Sequence, residues 1–507
     1  MAGADTAAHQ GAAAGPGAAA GPGAAAGPGA AASPDVAASP EAVAGAGAGT
    51  PLYVDGHGAI LATDLTLESV LGAMRHNPKA LWRLPLWIVA GQARAELASR
   101  ASLDMALLPL NEAALTRIAD ARAAGRRVVF VTHADAALAG AFADHLGLFD
   151  AVIASTAETP LDRCAMREAI AADAALHGGT VFDYLGRDPV LLDAARRGAS
   201  TDRRHKGETI HRDRPGLREV VKALRVHQWL KNAFLFVPLA LTIDRAGVAD
   251  IAHSIVAFLA FSLVASATYV VNDLLDLQSD RRHASKCLRP LAAGRLSIRQ
   301  GAGLGLAVFA AGAALAAMLP FAFQALLACY IVVTLSYSIA VKRMLLLDVL
   351  TVSGLHTLRI MAGGAALGIE VSYWLLSFSL FFFLSLALAK RYTELAEVGE
   401  TADRASTGRG YRYVDLETLA LMGVCSSFSA VVVLALYIRA PVTLDEVTHP
   451  WLMWPICPLM LYALARIWIL ARRRELQEDP VWFALTDWRS QVTFGLTALI
   501  YLVAHVV

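Results

Sequence analysis

The chain has 507 residues, too many for one ordinary domain. Its 44 lysines and arginines nearly balance 43 aspartates and glutamates, for a formal net charge of +1, so no global basic field points to a nucleic-acid partner. The five cysteines, Cys164, Cys287, Cys329, Cys425 and Cys457, are scattered without a C-x-x-C pair, which argues against a zinc site or disulfide framework and fits a reducing compartment.

Residues 1–50 are low-complexity, with a Gly-Ala-Ala-Ala-Gly-Pro unit repeated from Gly11 onward. Small residues and proline bury too little apolar surface to offset ordering, which predicts a disordered tail. It lacks the basic start and apolar core of a signal peptide. Residues 51–200 read as a soluble α/β domain. Leu52-Tyr53-Val54, Val128-Val129-Phe130-Val131 and Thr180-Val181-Phe182 predict buried parallel strands, with Ala-rich helical stretches between them. The apolar run 81–90 is interrupted by Arg83 and Pro85 and is too short to span a bilayer. Residues 201–215, with Arg203, Arg204, His205, Lys206, Arg212 and Arg214, read as a basic linker.

From residue 216 to 507 long apolar runs dominate. Nine segments stand out, at 229–243, 251–272, 301–319, 322–340, 346–367, 373–389, 416–438, 451–470 and 491–507. Several approach the ~20 residues a span needs, which predicts an all-α polytopic membrane domain of about nine transmembrane helices. Cations concentrate in alternate loops: Arg281, Arg282, Lys286, Arg289, Arg295 and Arg299; Lys342 and Arg343; Lys390, Arg391, Arg404, Arg409 and Arg412; and Arg472, Arg473, Arg474 and Arg489. The opposite loops offer little beyond Arg245 and Arg439. By the positive-inside rule the basic loops and the N-terminal domain face the cytoplasm, and an odd number of spans puts the C-terminus outside. An integral protein of the inner or plasma membrane is expected.

Three polar constellations interrupt this apolar background. The first runs from Asn272 to Gly294. Asp273, Asp276 and Asp280 follow one another at spacings of three and four, which predicts three carboxylates on one helical face. Uncompensated anions at a membrane boundary are costly unless they hold something positive. A hard divalent cation such as Mg²⁺, carrying a phosphorylated ligand, fits that need. Arg281, His283, Lys286 and Arg289 come next and supply cations for phosphate oxygens. The second constellation, Lys390, Arg391, Glu394, Glu397 and Glu400, reads equally as a second metal or diphosphate site and as salt-bridged juxtamembrane charge. The third is dispersed. Arg225, Gln228, Trp229, Lys231 and Asn232 precede the first segment, and Tyr337, Ser338, Lys342 and Asp348 flank a turn. Arg359 lies inside the fifth segment, where a lone cation is a candidate anion ligand. Lys231 and Lys342 read equally well as plain topology signals.

The pattern N-D-x-x-D-x-x-x-D followed by R-x-H and K-x-x-R-P resembles the UbiA-type intramembrane prenyltransferase superfamily over residues 216–507. A-L-R-V-H-Q-W-L-K-N at the first segment and E-D-P-V-W-F-A-L-T-D before the last are most similar to the branch containing decaprenyl-phosphate phosphoribosyltransferase. The resemblance implies Mg²⁺ held on a diphosphate by Asp273, Asp276 and Asp280. It implies leaving-group stabilisation by Lys286, Arg289 and Arg359, with Asn272, Arg281, His283 and Lys342 as further diphosphate contacts. Lys231, Tyr337, Lys390, Arg391, Glu394 and Glu397 fall to the acceptor or a second site. The chain departs from the family where the second Asp-rich motif reads K-R-Y-T-E-L-A-E-V-G-E, and where His283 is followed by alanine rather than proline.

Val54-Asp55-Gly56-His57-Gly58-Ala59 after the first predicted strand resembles the D-x-D-G-T opening of haloacid-dehalogenase-like phosphatases, which implies a Rossmann-type sheet. Asp55 stands at the nucleophile position and Thr132 suits the second motif. The second acid is replaced by His57, Leu161-Asp162-Arg163 shows no clear lysine, and Gly186-Arg187-Asp188-Pro189 displaces the metal-binding acid by one. Together these losses imply a catalytically degenerate domain kept as scaffold or regulator.

The leading expectation is Mg-dependent transfer of phosphoribose from phosphoribosyl diphosphate to a polyprenyl phosphate. One alternative is transfer of an isoprenoid from its prenyl diphosphate to an aromatic or other acceptor. Another is a non-catalytic transporter using the acids as an ion site, against which the acids lie at a membrane face rather than near the midplane.

Overall fold

The computed structural model describes residues 49–76, 83–89, 93–101, 103–156, 158–177, 179–200, 208–209, 215–283, 285–399, 410–440, 443, 447–476 and 479–506. The tail to residue 48, the linker cations Arg203 to Arg214 and Glu400 lie outside the described residues.

The N-terminal region is built on a parallel sheet of β1 (Leu52–Asp55), β2 (Val128–Asp135), β3 (Ala151–Ser155), β4 (Asp183–Leu185), β5 (Arg197–Ser200) and β6 (Glu208–Thr209). Its order is β3-β2-β1-β4-β5-β6, and every neighbouring pair is parallel. Side chains alternate across it as strand geometry requires. Leu52, Val54, Val128, Phe130 and Leu185 pack on one face with Ile118 and Phe142. Tyr53, Val129, Val131 and Tyr184 pack on the other with Met166 and Ile170. The first two predicted strands sit in register, Leu52 beside Val128 and Val54 beside Phe130. The third does not fall where the apolar run placed it. Thr180 to Phe182 precede the strand, Val181 is exposed, and pairing begins at the buried Asp183. Burial pushes the Asp183 carboxyl up, but hydrogen bonds and charge from Arg196 and Arg126 outweigh that and hold it below the usual carboxylate range. A neutralised acid can therefore start a strand that hydropathy alone misses. The sheet also reaches into the segment expected as a linker, since Glu208–Thr209 pairs beside Ser200.

Helix α1 (Leu65–His76) follows β1. Asp64 caps it by accepting the Thr66 and Leu67 amides at 3.0 and 3.3 Å. Its Leu67 and Leu71 pack against Val270, Leu274, Leu277 and Leu291 of the C-terminal part.

That part is helical. Among the described residues six helices are long and apolar enough to cross a membrane: Val248–Leu275, Ile298–Ala316, Phe321–Ile339, Tyr373–Glu397, Tyr413–Ile438 and Pro450–Arg472. The predicted segment 346–367 is the helix Leu347–Leu367, which buries Asp348, His356 and Arg359. The segment 491–507 is the helix Trp488–Val506. The segment 229–243 forms a tight 3-10 run, Val226–Phe236, and a short helix, Val237–Leu241; that is not a bilayer-length α-helix. This run is knitted to the first long helix by Trp229, which donates to Ser266 Oγ at 2.8 Å, and by Asn232, which donates to Ser262 Oγ at 2.9 Å. Gly363 permits a close approach, because a β-carbon there would collide with the Leu235 carbonyl.

Candidate active site

The expected single helical face of carboxylates is broken. The Val248–Leu275 helix ends at Asp276, and a second helix, Leu277–Arg282, starts from it. Three anions on one unbroken face would repel; the break divides them between different cations. Asp273 and Asp280, 3% and 4% exposed, turn inward. Arg289 Nη1 bridges them, donating to Asp273 at 3.1 Å and also to Asp280. Arg225 makes a second ion pair with Asp273. Asp276 instead takes Arg75 of α1 at 2.8 Å and Lys342 at 3.2 Å.

The cations of this constellation separate accordingly. Arg289 and Lys342 lie on the carboxylates. Arg281 does not face them: it donates to Glu68 of α1 at 2.6 Å and to the Ala292 carbonyl at 3.1 Å, which corrects its expected place among the diphosphate contacts. His283 and Lys286 are exposed, and Asn272 is half-buried. His283 Nδ1 lies 3.3 Å from the Ser285 amide and hydroxyl. Among the described residues no group of three or more His, Cys, Asp or Glu gathers as a metal centre. The donor chemistry still fits a hard cation. Magnesium needs only one or two carboxylates beside water and phosphate, and Asp273 and Asp280 already converge on one guanidinium nitrogen.

A second site sets two lysines against one carboxylate. Lys231 and Lys390 both donate to Asp479 Oδ2, at 3.0 and 2.5 Å. Burial pushes the Asp479 carboxyl up, but Lys390 and Lys231 outweigh it and hold it well below the usual carboxylate range. Sequence reasoning missed Asp479 as a site residue. The available signal was Asp-Pro at a helix start: Asp479 caps Pro480–Thr486 by accepting the Val481 amide. Arg359 completes the cluster. It donates to Asn232 at 2.8 Å and to the Leu355 carbonyl at 2.6 Å, and stacks over Tyr330 at 5.1 Å. Asn232, the Leu355 carbonyl and the Tyr330 hydroxyl, to which it donates, are neutral groups, which suits a cation kept for an anion. His356, one turn earlier and buried, also escaped the sequence reading; its Nδ1 has no hydrogen-bond partner among the described residues. Tyr269, one turn before Asp273, lies under the Arg225 guanidinium, 5.2 Å from its ring centroid. An apolar cavity of about 680 Å³ is lined by Phe234, Phe236, Ile360, Phe382, Phe383 and Tyr501 among others; Ile360 follows Arg359 directly in the chain, but the charged side chains of the cluster do not line it.

The expected face of Lys390, Glu394 and Glu397 does not act as one group. Lys390 goes to Asp479, Glu394 pairs with Arg391, and Glu397 is exposed. Arg391 is buried and donates to Asp348 at 2.6 Å and to Tyr337 Oη at 3.3 Å. These contacts describe salt-bridged charge rather than a second cluster of acids.

In the α/β region Asp55 ends β1 beside β2, which carries Thr132. Asp55 is buried; Tyr184 donates to it at 3.3 Å and the His57 amide at 2.9 Å. Burial pushes its carboxyl up to about 6. Asp188 is engaged elsewhere. It takes Arg167 at 2.8 Å and caps Pro189–Ala194 through the Val190 and Leu191 amides. A cavity of about 250 Å³ is lined by Gly56, His57, Thr132 and His133, together with Arg299 from the membrane part.

The sequence pattern of the UbiA prenyltransferase family matches residues 233–490. An uncharacterised Sinorhizobium fredii protein, y4nM, is 35% identical over 90% of this chain and 91% of its own length. The nodulation protein NoeC of Azorhizobium caulinodans is 35% identical over 55% of this chain and 92% of its own. The decaprenyl-phosphate phosphoribosyltransferase of Corynebacterium glutamicum is 38% identical over 35% of this chain and 54% of its own.

Proposed function

Since this chain belongs to the UbiA prenyltransferase family of integral-membrane transferases, we propose that it moves phosphoribose from phosphoribosyl diphosphate to a polyprenyl phosphate. The observation that carries this reading is the built cationic cluster of Lys231, Lys390 and Arg359, in a domain that also holds an apolar cavity lined by Arg359's chain neighbour Ile360. An acceptor that is both a phosphate and a long lipid needs that combination, and a neutral aromatic acceptor does not. Similarity to decaprenyl-phosphate phosphoribosyltransferase supports the same choice.

In this reading Asp273 and Asp280, with Asp276, hold Mg²⁺ on the donor diphosphate. Bound there, the ion neutralises charge on the leaving group. Arg289, released from the carboxylates it now bridges, takes diphosphate oxygens, and Arg225 keeps Asp273 oriented. The lipid chain lies in the apolar cavity and its phosphate meets Lys231, Lys390 and Arg359. A phosphate oxygen forms the bond to the anomeric carbon as the bond from that carbon to diphosphate breaks. The acceptor is already anionic, so no strong base is required. The α/β region lies on the cytoplasmic side, where soluble donor is available. It is a haloacid-dehalogenase-like domain without phosphatase activity, because Asp188 is held by Arg167 and by its helix, and His57 stands where the second acid would be.

The test is membranes incubated with radiolabelled phosphoribosyl diphosphate and polyprenyl phosphate, with and without Mg²⁺, for wild type and Asp273→Asn. Mg²⁺-dependent labelled lipid, lost in the variant, is expected. No labelled lipid, with prenyl transfer from a prenyl diphosphate to a small acceptor instead, would establish the isoprenoid-transfer alternative.

A further inference from the structure

We infer that Arg75, carried by the α/β region, is a donor-binding residue of the transferase site, exchanging the Asp276 carboxylate for a diphosphate oxygen when donor and cation bind. This rests on the reading that the carboxylates between Asp273 and Asp280 receive a diphosphate through a divalent cation.

The geometry begins with helix spacing. Glu68 and Arg75 are seven residues apart on α1, nearly two full turns, so they project from the same side. Glu68 is fixed first. It accepts from the Thr63 hydroxyl and from Arg281, both at 2.6 Å, and the Glu68 and Arg281 side chains are only 1% and 5% exposed. Breaking a sealed pair of this kind strands a buried charge, so it holds α1 firmly in place. Leu67 and Leu71 add apolar contact on the same surface. Two turns along, Arg75 reaches the end of the Val248–Leu275 helix. Its Nη1 donates to Asp276 at 2.8 Å and to the Leu275 carbonyl at 3.1 Å. The last carbonyls of a helix lack internal partners and form its negative end, so a guanidinium is well placed there.

Arg75 is not sealed as Arg281 is; its side chain is 22% exposed. Lys342 shares Asp276 at 3.2 Å, so the carboxylate keeps a cation when Arg75 moves. Once a divalent cation takes the carboxylates, it repels the adjacent guanidinium while the diphosphate attracts it. The exchange balances charge: carboxylate to metal, guanidinium to phosphate oxygen. A lone membrane domain would lack this contact, so the α/β region contributes to the transferase site itself.

The experiment uses the full-length protein in lipid nanodiscs. Binding of inorganic pyrophosphate with Mg²⁺ is measured by calorimetry, and steady-state transfer is measured with phosphoribosyl diphosphate. Arg75→Ala is expected to weaken pyrophosphate binding and raise the donor KM by about tenfold or more, with kcat and the acceptor KM little changed. Arg75→Lys recovers part of the loss and guards against misfolding of the alanine variant. Arg282→Ala opens the exposed pair with Asp104 on the same interface and leaves both measurements unchanged. Wild-type pyrophosphate binding and donor KM in Arg75→Ala would overturn the inference. So would tighter binding with faster turnover, which would make Arg75 a plug. Asp273→Asn separates the two claims: undiminished pyrophosphate binding in that variant removes the carboxylate site on which the inference stands, whereas its loss beside normal binding in Arg75→Ala removes the inference alone.

Discussion

The two ends of the membrane site differ in how their charge is paired. At the Asp273 end three carboxylates are shared among Arg75, Arg225, Arg289 and Lys342. At the Asp479 end one carboxylate holds two lysines, and Arg359 rests on neutral partners. The first can release carboxylates to a cation and keep arginines for the anion that arrives with it. The second can accept a bare anion directly, because three cations there face one carboxylate, against four facing three at the first end. In the proposed function the metal-bound substrate goes to the first end and the metal-free phosphate to the second.

Mutations that affect only one substrate are the sharpest way to break that assignment. Asp273→Asn should cost about a hundredfold or more in transfer rate, read as initial rate at saturating acceptor. Lys390→Ala should instead raise the acceptor KM by about tenfold while leaving the donor KM unchanged. Equal effects of Lys390→Ala on both substrates would merge the two ends into one site. A stability measurement sharpens the point further. Asp479→Asn leaves two adjacent lysines without their carboxylate, and a loss of about 3 kcal/mol is expected in denaturant or thermal unfolding. A lipid phosphate analogue should restore part of it by linkage.

The smallest expected effect lies in the α/β region. Asp55 has its folded pKa raised to about 6 by burial. The folded state therefore binds that proton more tightly than the unfolded chain. Stability from this group is full below the ordinary carboxylate pKa and falls as pH rises towards 6, by at most about 3 kcal/mol. Asp55→Asn should flatten that dependence, measured as hydrogen exchange of the β1 amides between pH 4 and 7 after correction for intrinsic rates. Neither protein should hydrolyse small phosphate esters with Mg²⁺; turnover abolished by Asp55→Asn would mean that the missing groups are not needed.

Local patterns were legible in the sequence, and long-range pairings were not. Val54, Phe130 and their neighbours announce strands because alternate side chains meet two buried faces. Asp273, Asp276 and Asp280 announce a charged constellation because acids at that spacing rarely serve solubility, and the fold brings cations to all three. The spacing could not foretell the break at Asp276, which depends on Arg75 and Lys342, 201 and 66 residues away. Asp479 was opaque for the same reason: a lone carboxylate gains meaning only from partners that the fold brings to it. Arg281 looked like a phosphate ligand beside its acids, yet its partner Glu68 lies 213 residues earlier.

The reach of Asp479 has a consequence for how the protein is made. It joins Lys231, 248 residues earlier, to Lys390, 89 residues earlier. During synthesis the acidic end, with Arg75, Arg225 and Arg289, lacks only Lys342 when the third long helix begins to emerge. The basic end closes only when the final loop leaves the ribosome, so a nascent chain carries unmatched lysines through most of its insertion. A chain stopped before residue 479 would retain the whole Asp-rich motif and still lack the carboxylate that gathers Lys231 and Lys390.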